Sequence, residues 1–84
     1  MNPRVTRLTP QRGHRLLLEF ENGEARLFDL TPWLGKGVFR ALQDSAEFRQ
    51  TRVVDGSVEW PGEIDLSYDT LYLRSVAVQP AATT

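Results

Sequence analysis

Cysteine is absent from all 84 residues, which excludes a disulfide framework and any thiolate metal site. Small secreted domains usually depend on such staples, so the absence points to the reducing cytoplasm. Long apolar runs are missing as well. The longest aliphatic run, Leu16-Leu17-Leu18, cannot span a bilayer, and the opening Met1-Asn2-Pro3-Arg4-Val5 lacks an apolar stretch of signal-peptide length. The expectation is a soluble bacterial protein of the cytoplasm with no membrane association. Histidine is reduced to one residue, His14, beside a turn; an imidazole metal site needs more nitrogen ligands than that. No serine sits in a nucleophile-elbow pattern, and His14 would have to act as base for any of them. No cofactor, metal or enzymatic activity is expected.

Nor does either sign of charge dominate, the net charge being −1. The charge is nevertheless unevenly placed. Residues 1–15 carry Arg4, Arg7, Arg12 and Arg15 with no acid, while residues 55–73 carry Asp55, Glu59, Glu63, Asp65 and Asp69 with no base. Two oppositely charged solvated surfaces explain this simply. A basic edge meeting a phosphate backbone or an acidic partner explains it functionally. No helix-turn-helix pair of adequate length is visible, and aromatics do not interleave with arginines as in a base-stacking sheet.

What is present suits one small α+β domain over residues 1–78, with a polar, proline-bearing tail at 79–84 expected to be disordered. A first strand is expected from Arg4 to Thr9. Two further strands, His14 to Phe20 and Glu24 to Leu30, flank Asn22-Gly23, a strong hairpin signal. A two-residue turn there pairs Phe20 with Ala25, Leu18 with Leu27 and Leu16 with Asp29. It thereby sets Leu17, Phe28 and Leu30 on the opposite face with Glu19 and Arg26. A second hairpin, Thr51 to Val54 with Ser57 to Trp60, turns at Asp55-Gly56 and pairs Val53 with Val58 and Arg52 with Glu59. Between the hairpins, Thr31-Pro32 resembles a capped helix start that Gly35-Lys36-Gly37 stops within a turn. Asp44 or Ser45 can cap a turn containing Phe48, and Ser67 can cap a closing helix with Leu71 facing inward. Trp60, where the chain leaves the second hairpin, is expected to be buried.

Glu63, Asp65 and Asp69 near Trp60, with Asp29, are the carboxylates that could hold a hard cation or perform acid–base work. Their spacing lacks the alternating ligands and central glycine of a calcium loop. Asp29 and Asp65 precede turns, where a carboxylate caps free backbone N–H groups.

Several fragments carry a family resemblance when taken in order. They are Arg4-Val5, Leu18-Glu19-Phe20-Glu21-Asn22-Gly23-Glu24, Leu27-Phe28-Asp29-Leu30, Val38-Phe39-Arg40-Ala41-Leu42, Phe48, Val58-Glu59-Trp60-Pro61, Ile64-Asp65-Leu66 and Leu71-Tyr72. Over about residues 4–75 the chain resembles the bacterial family called domain of unknown function 2442. The resemblance implies hairpins with short helices and brings no catalytic residue with it. It also implies relatives that carry a C-terminal helix-turn-helix, and others encoded beside a second small protein in the manner of toxin–antitoxin pairs.

Three functions are consistent with these readings. The leading one is a non-catalytic protein-interaction module, antitoxin-like or regulatory, forming a homodimer or binding a small protein partner. Its surface would be the second face of the first hairpin, with Leu17, Phe28 and Leu30, unless the closing helix or the Thr31–Leu34 turn covers that face; the first strand could add a seam. The second is a nucleic-acid-associated regulator using Arg4, Arg7 and Arg15. The third is a small-ligand-binding or hydrolytic domain built on Trp60 and the nearby acids.

Overall fold

Two glycine-containing turns set most of the architecture, and they behave differently. In the computed structural model, which describes residues 1–78, Asp55 (φ 50°) and Gly56 (φ 83°) both lie in the left-handed region. That is what a two-residue type I′ turn needs. Strands β4 (Arg52–Val54) and β5 (Ser57–Trp60) therefore pair as expected, Arg52 with Glu59 and Val53 with Val58.

At Asn22-Gly23 the register differs from the expectation. Only Gly23 has positive φ (89°), and its amide donates to the Phe20 carbonyl at 2.9 Å while the Phe20 amide donates to the Glu24 carbonyl at 2.9 Å. This is a three-residue loop, a tight turn followed by a left-handed glycine bulge. Strands β2 (Arg15–Phe20) and β3 (Ala25–Asp29) consequently pair Leu16 with Phe28, Leu17 with Leu27 and Leu18 with Arg26. A one-residue slip turns every β3 side chain to the other face. Phe28 and Leu30, expected on the second face, are both 0% exposed within the core. The correction has a clear cause: the expected register would have set Asp29 facing the core and left Phe28 outside.

β1 (Val5–Gln11) pairs antiparallel with β2 and runs beyond the expected end at Thr9. Pro10 is tolerated because β1 is an edge strand and its missing N–H breaks no central ladder. Two strands were not anticipated. β6 (Ile64–Leu66) pairs with β5, and β7 (Val76–Ala77) pairs with β3, giving a four-stranded sheet ordered β1-β2-β3-β7 and a three-stranded sheet β4-β5-β6.

The helical pieces are short. Residues Thr31–Trp33 and Gly37–Gln43 form 3₁₀ turns, followed by α1 (Ser45–Phe48) and α2 (Tyr68–Arg74). Thr31 was expected to cap the first; instead the Asp29 carboxylate accepts from Thr31 N at 3.0 Å and Thr31 Oγ1 at 2.8 Å. Asp44 caps α1 through Ala46 N at 2.8 Å, and Ser67 Oγ accepts from Thr70 N at 3.4 Å at the start of α2. None of these pieces is long enough to be stable alone; Leu42, Phe48 and Leu71 are the buried anchors of the last three, and the first, which buries no residue, rests on the core through the partly buried Trp33.

Those anchors meet Val5, Leu16, Leu18, Phe20, Phe28 and Leu30 from the four-stranded sheet and Val58, Trp60, Ile64 and Leu66 from the smaller one in a single cluster. Trp60, 3% exposed, donates its indole N–H to the Phe48 carbonyl at 2.8 Å and so fastens the second sheet to the end of α1. The shortest dimension of the molecule is 18 Å. That accommodates two layers at about 10 Å spacing and no third.

Candidate interaction surface

With Leu16, Leu18 and Phe20 directed into the core, the alternate residues of β2 face outward. Register then composes the outer face of the four-stranded sheet row by row. The central row reads Thr9, Leu17, Leu27 and Val76 across β1, β2, β3 and β7. To one side lie Gln11, Arg15 and Asp29; to the other lie Arg7, Glu19 and Ala25, with Val78 beside Ala25 through its amide bond to the Ala25 carbonyl at 2.9 Å. Leu17, Ala25 and Leu27 are half-buried, and neither Leu17 nor Leu27 belongs to the core cluster or packs against it. Val76 is 71% exposed and Val78 40%. The helical anchors all join the cluster on the other face of the sheet. The outer face is thus an apolar centre with a charged border.

Of the residues expected to form an interaction face, Leu17 and Arg15 lie on this surface and Phe28 and Leu30 do not. Arg7 also lies here, 3.9 Å from Glu19. Arg4 is elsewhere. Its guanidinium sits over the Tyr68 ring at 5.4 Å from the centroid, and its stem packs on Gly56, where an added Cβ would lie 2.5 Å from the Arg4 Cβ. The Val5 amide donates to the Gly56 carbonyl at 2.9 Å at the same corner, so this arginine helps join the two sheets. The N-terminal arginines therefore do not converge on one patch.

From the sequence, Leu27 was expected opposite Leu18 on the core face and Val76 as an inward neighbour of Leu71, while Val78 was not singled out; Leu27 instead lies outside the core cluster and Val76 is 71% exposed. Leu27 became legible only once the turn type was known, and a two-residue strand such as β7 has no periodicity to read. Leu73 on α2 is a further large exposed apolar residue, at 67%.

The residues of the other readings are occupied or scattered. The His14 ring packs against Phe48 at 5.0 Å between centroids, and its Nε2 lies 3.2 Å from the Gln43 carbonyl. This ties the β1–β2 turn to the helical segment. A cleft of about 390 Å³ lies over the smaller sheet, bordered by Arg52, Glu59, Trp60, Glu63 and Asp65. The indole N–H is already used by Phe48, and Glu59 faces Arg52 at 3.8 Å. Asp69 accepts from Asn2 Nδ2 at 2.9 Å rather than joining those acids. Asp65, expected as a cap, lies exposed on β6 opposite Glu59. Among the described residues no group of three or more His, Asp or Glu could hold a metal ion, and no helix is long and apolar enough to cross a membrane.

One polar cluster forms where α2 meets β3. Arg26 donates to Ser75 Oγ and to the Ser75 carbonyl, both at 2.7 Å, and lies 3.0 Å from Glu24; its guanidinium is 4.4 Å from the centroid of the Tyr72 ring. Tyr72 donates its hydroxyl to Glu24 and meets Phe20 edge-on. The Tyr72 hydroxyl, followed by Asn22, holds the Glu24 carboxyl below its ordinary range, and the same bond raises the Tyr72 phenol. The cluster fixes α2 on the sheet and so positions β7, which supplies Val76 to the outer face.

A family model described as Protein of unknown function (DUF2442) matches residues 5–77. Neither a curated protein nor a solved structure matches the chain.

Proposed function

The chain belongs to the DUF2442 family, and from that premise we propose that it is a non-catalytic protein-interaction module whose binding surface is the outer face of the four-stranded sheet. One observation carries this reading: Leu17, Leu27, Val76 and Val78 form a contiguous apolar strip on a face that nothing in the described chain covers. Apolar strips bordered by charge are favourable docking sites, because burial there releases water while the border sets orientation. The engagement of His14 with Phe48 and Gln43, and of Asp29 and Asp69 with neighbouring groups, supports a structural rather than a catalytic use of these residues. An antitoxin-like or regulatory role, as the family resemblance implies, is one use of such a face. The lack of cysteine supports a reducing compartment such as the cytoplasm, and the family resemblance supports a bacterial source.

The reading is tested by capture on the full chain, identification of the bound protein, and reconstitution from purified components. Binding by wild type that is lost in Leu27→Asp, with the melting curve retained, is the expected result. Equal binding by wild type and Leu27→Asp would refute the assignment of the surface.

A further inference from the structure

We infer that the occupant of the outer sheet face is a second copy of this chain, docked about a two-fold axis that runs parallel to the strands between β2 and β3. This rests on the proposed interaction surface and adds the identity and geometry of the partner.

The argument comes from the charges bordering the apolar strip. Arg7 and Glu19 lie 3.9 Å apart within one chain, so that end of the face is internally matched. At the other end Arg15 and Asp29 are direct cross-strand partners, yet they form no ion pair among the described residues. Asp29 Oδ1 is used by Thr31, leaving Oδ2 for an outside donor. Arg15 is exposed. The face thus presents one unmatched cation on β2 and one unmatched anion at the same level on β3.

A two-fold axis midway between those strands lays β2 of one copy over β3 of the other. It sets Leu17 on Leu27 of the second copy and Arg15 on Asp29 of the second copy, and symmetry repeats both contacts. Thr9 at one margin then meets Val76 at the other. Two twisted sheets pack face to face about 10 Å apart with strands inclined by about 30°. The long Arg15 stem takes up the sideways offset this produces. The face supplies its own complement in shape and in charge, and no like charges meet across the axis. A two-fold axis perpendicular to the strands would instead set Arg15 against Glu19, which Arg7 already engages, and would leave Asp29 over Ala25.

The test is sedimentation equilibrium of the full chain as wild type, Arg15→Glu, Asp29→Lys and an equimolar mixture of the two variants. Wild type should show a monomer–dimer equilibrium. Each variant should raise the dimer Kd about tenfold or more through like-charge contact. The mixture should recover dimer, because one variant then carries two anions and the other two cations at the facing positions. Asp29→Lys also removes the acceptor for Thr31, so Asp29→Asn, which keeps that acceptor without the charge, should weaken the dimer while preserving the melting curve. Wild type that is monomeric at high concentration overturns the inference, as does a mixture that stays monomeric or an Asp29→Asn dimer as tight as wild type. Monomeric wild type that still captures a different protein through Leu27 leaves the interaction surface standing and removes only the second copy.

Discussion

Replacing Phe28 by alanine and, separately, its neighbour Leu27 by alanine interrogates the register of the first hairpin directly. Phe28 is 0% exposed and packs against the Trp33 ring at 5.0 Å between centroids, so truncation loses an entire buried ring and leaves a cavity beneath the Thr31–Trp33 turn. Such a change costs about 3–5 kcal/mol. Leu27 stands on the other face, half-buried and outside the core cluster, so its truncation in the monomer should cost less than about 1 kcal/mol. A domain of this size has a total stability of about 4–12 kcal/mol. In urea, with a slope of about 1–1.5 kcal/mol/M for a chain this short, Phe28→Ala should lower the midpoint by about 2 M or more or leave no folded baseline. Leu27→Ala should shift it by less than about 1 M. The measurement is denaturation followed by far-ultraviolet circular dichroism at low protein concentration, where association contributes nothing. A two-residue turn at Asn22-Gly23 would exchange the two outcomes. Leu27→Ala proving as costly as Phe28→Ala would refute the three-residue loop and the outer face built on it.

Three further outcomes follow from local geometry. Trp60→Phe keeps a ring in the core but leaves the Phe48 carbonyl without its indole donor, so it should cost about 1–3 kcal/mol in urea denaturation; an unchanged midpoint would contradict the bond. Gly56→Ala should destabilise more than Gly23→Ala, because both positions have φ above 80° but only at Gly56 does the new Cβ strike Arg4. Equal melting temperatures for the two would refute the close approach. Glu24, with its folded pKa held down mainly by Tyr72, contributes stability that is present above its unfolded value and lost as pH falls below about 4.5. Tyr72, raised by Glu24, contributes stability present below its unfolded value near 10 and lost as pH climbs past the folded one. Tyr72→Phe should flatten both limbs of the stability–pH curve, and a curve superimposable on wild type would show that the bond does not couple folding to protonation.

The architecture also accounts for how the described residues leave one sheet face uncovered without losing the core. All the short helices and the smaller sheet are used on the inner face, where Leu42, Phe48, Leu71 and Trp60 converge on β2 and β3. Covering both faces would need a third layer, and the described residues form two.

What the amino-acid order determined by itself were the features decided within a few residues. The absence of cysteine, the Asp55-Gly56 turn with its Val53–Val58 and Arg52–Glu59 pairs, the Asp44 and Ser67 caps and the buried Trp60 were all legible there. Each depends on φ preferences, short side-chain hydrogen bonds or the size of one apolar group. The family assignment was legible too, from the order of short fragments across the chain. The strands β6 and β7 were not, because three and two residues carry no period; they exist because β5 and β3 offer unpaired edges. The first hairpin is the decisive case. Asn22-Gly23 suits either a two-residue turn or a three-residue loop with a glycine bulge, and local chemistry separates them weakly. Only the assembled core separates them strongly, since it gains Phe28 and Leu30 in one register and would confront Asp29 in the other. That choice, made by burial across the whole domain, moved two expected interface residues into the core and brought Leu27 to the surface.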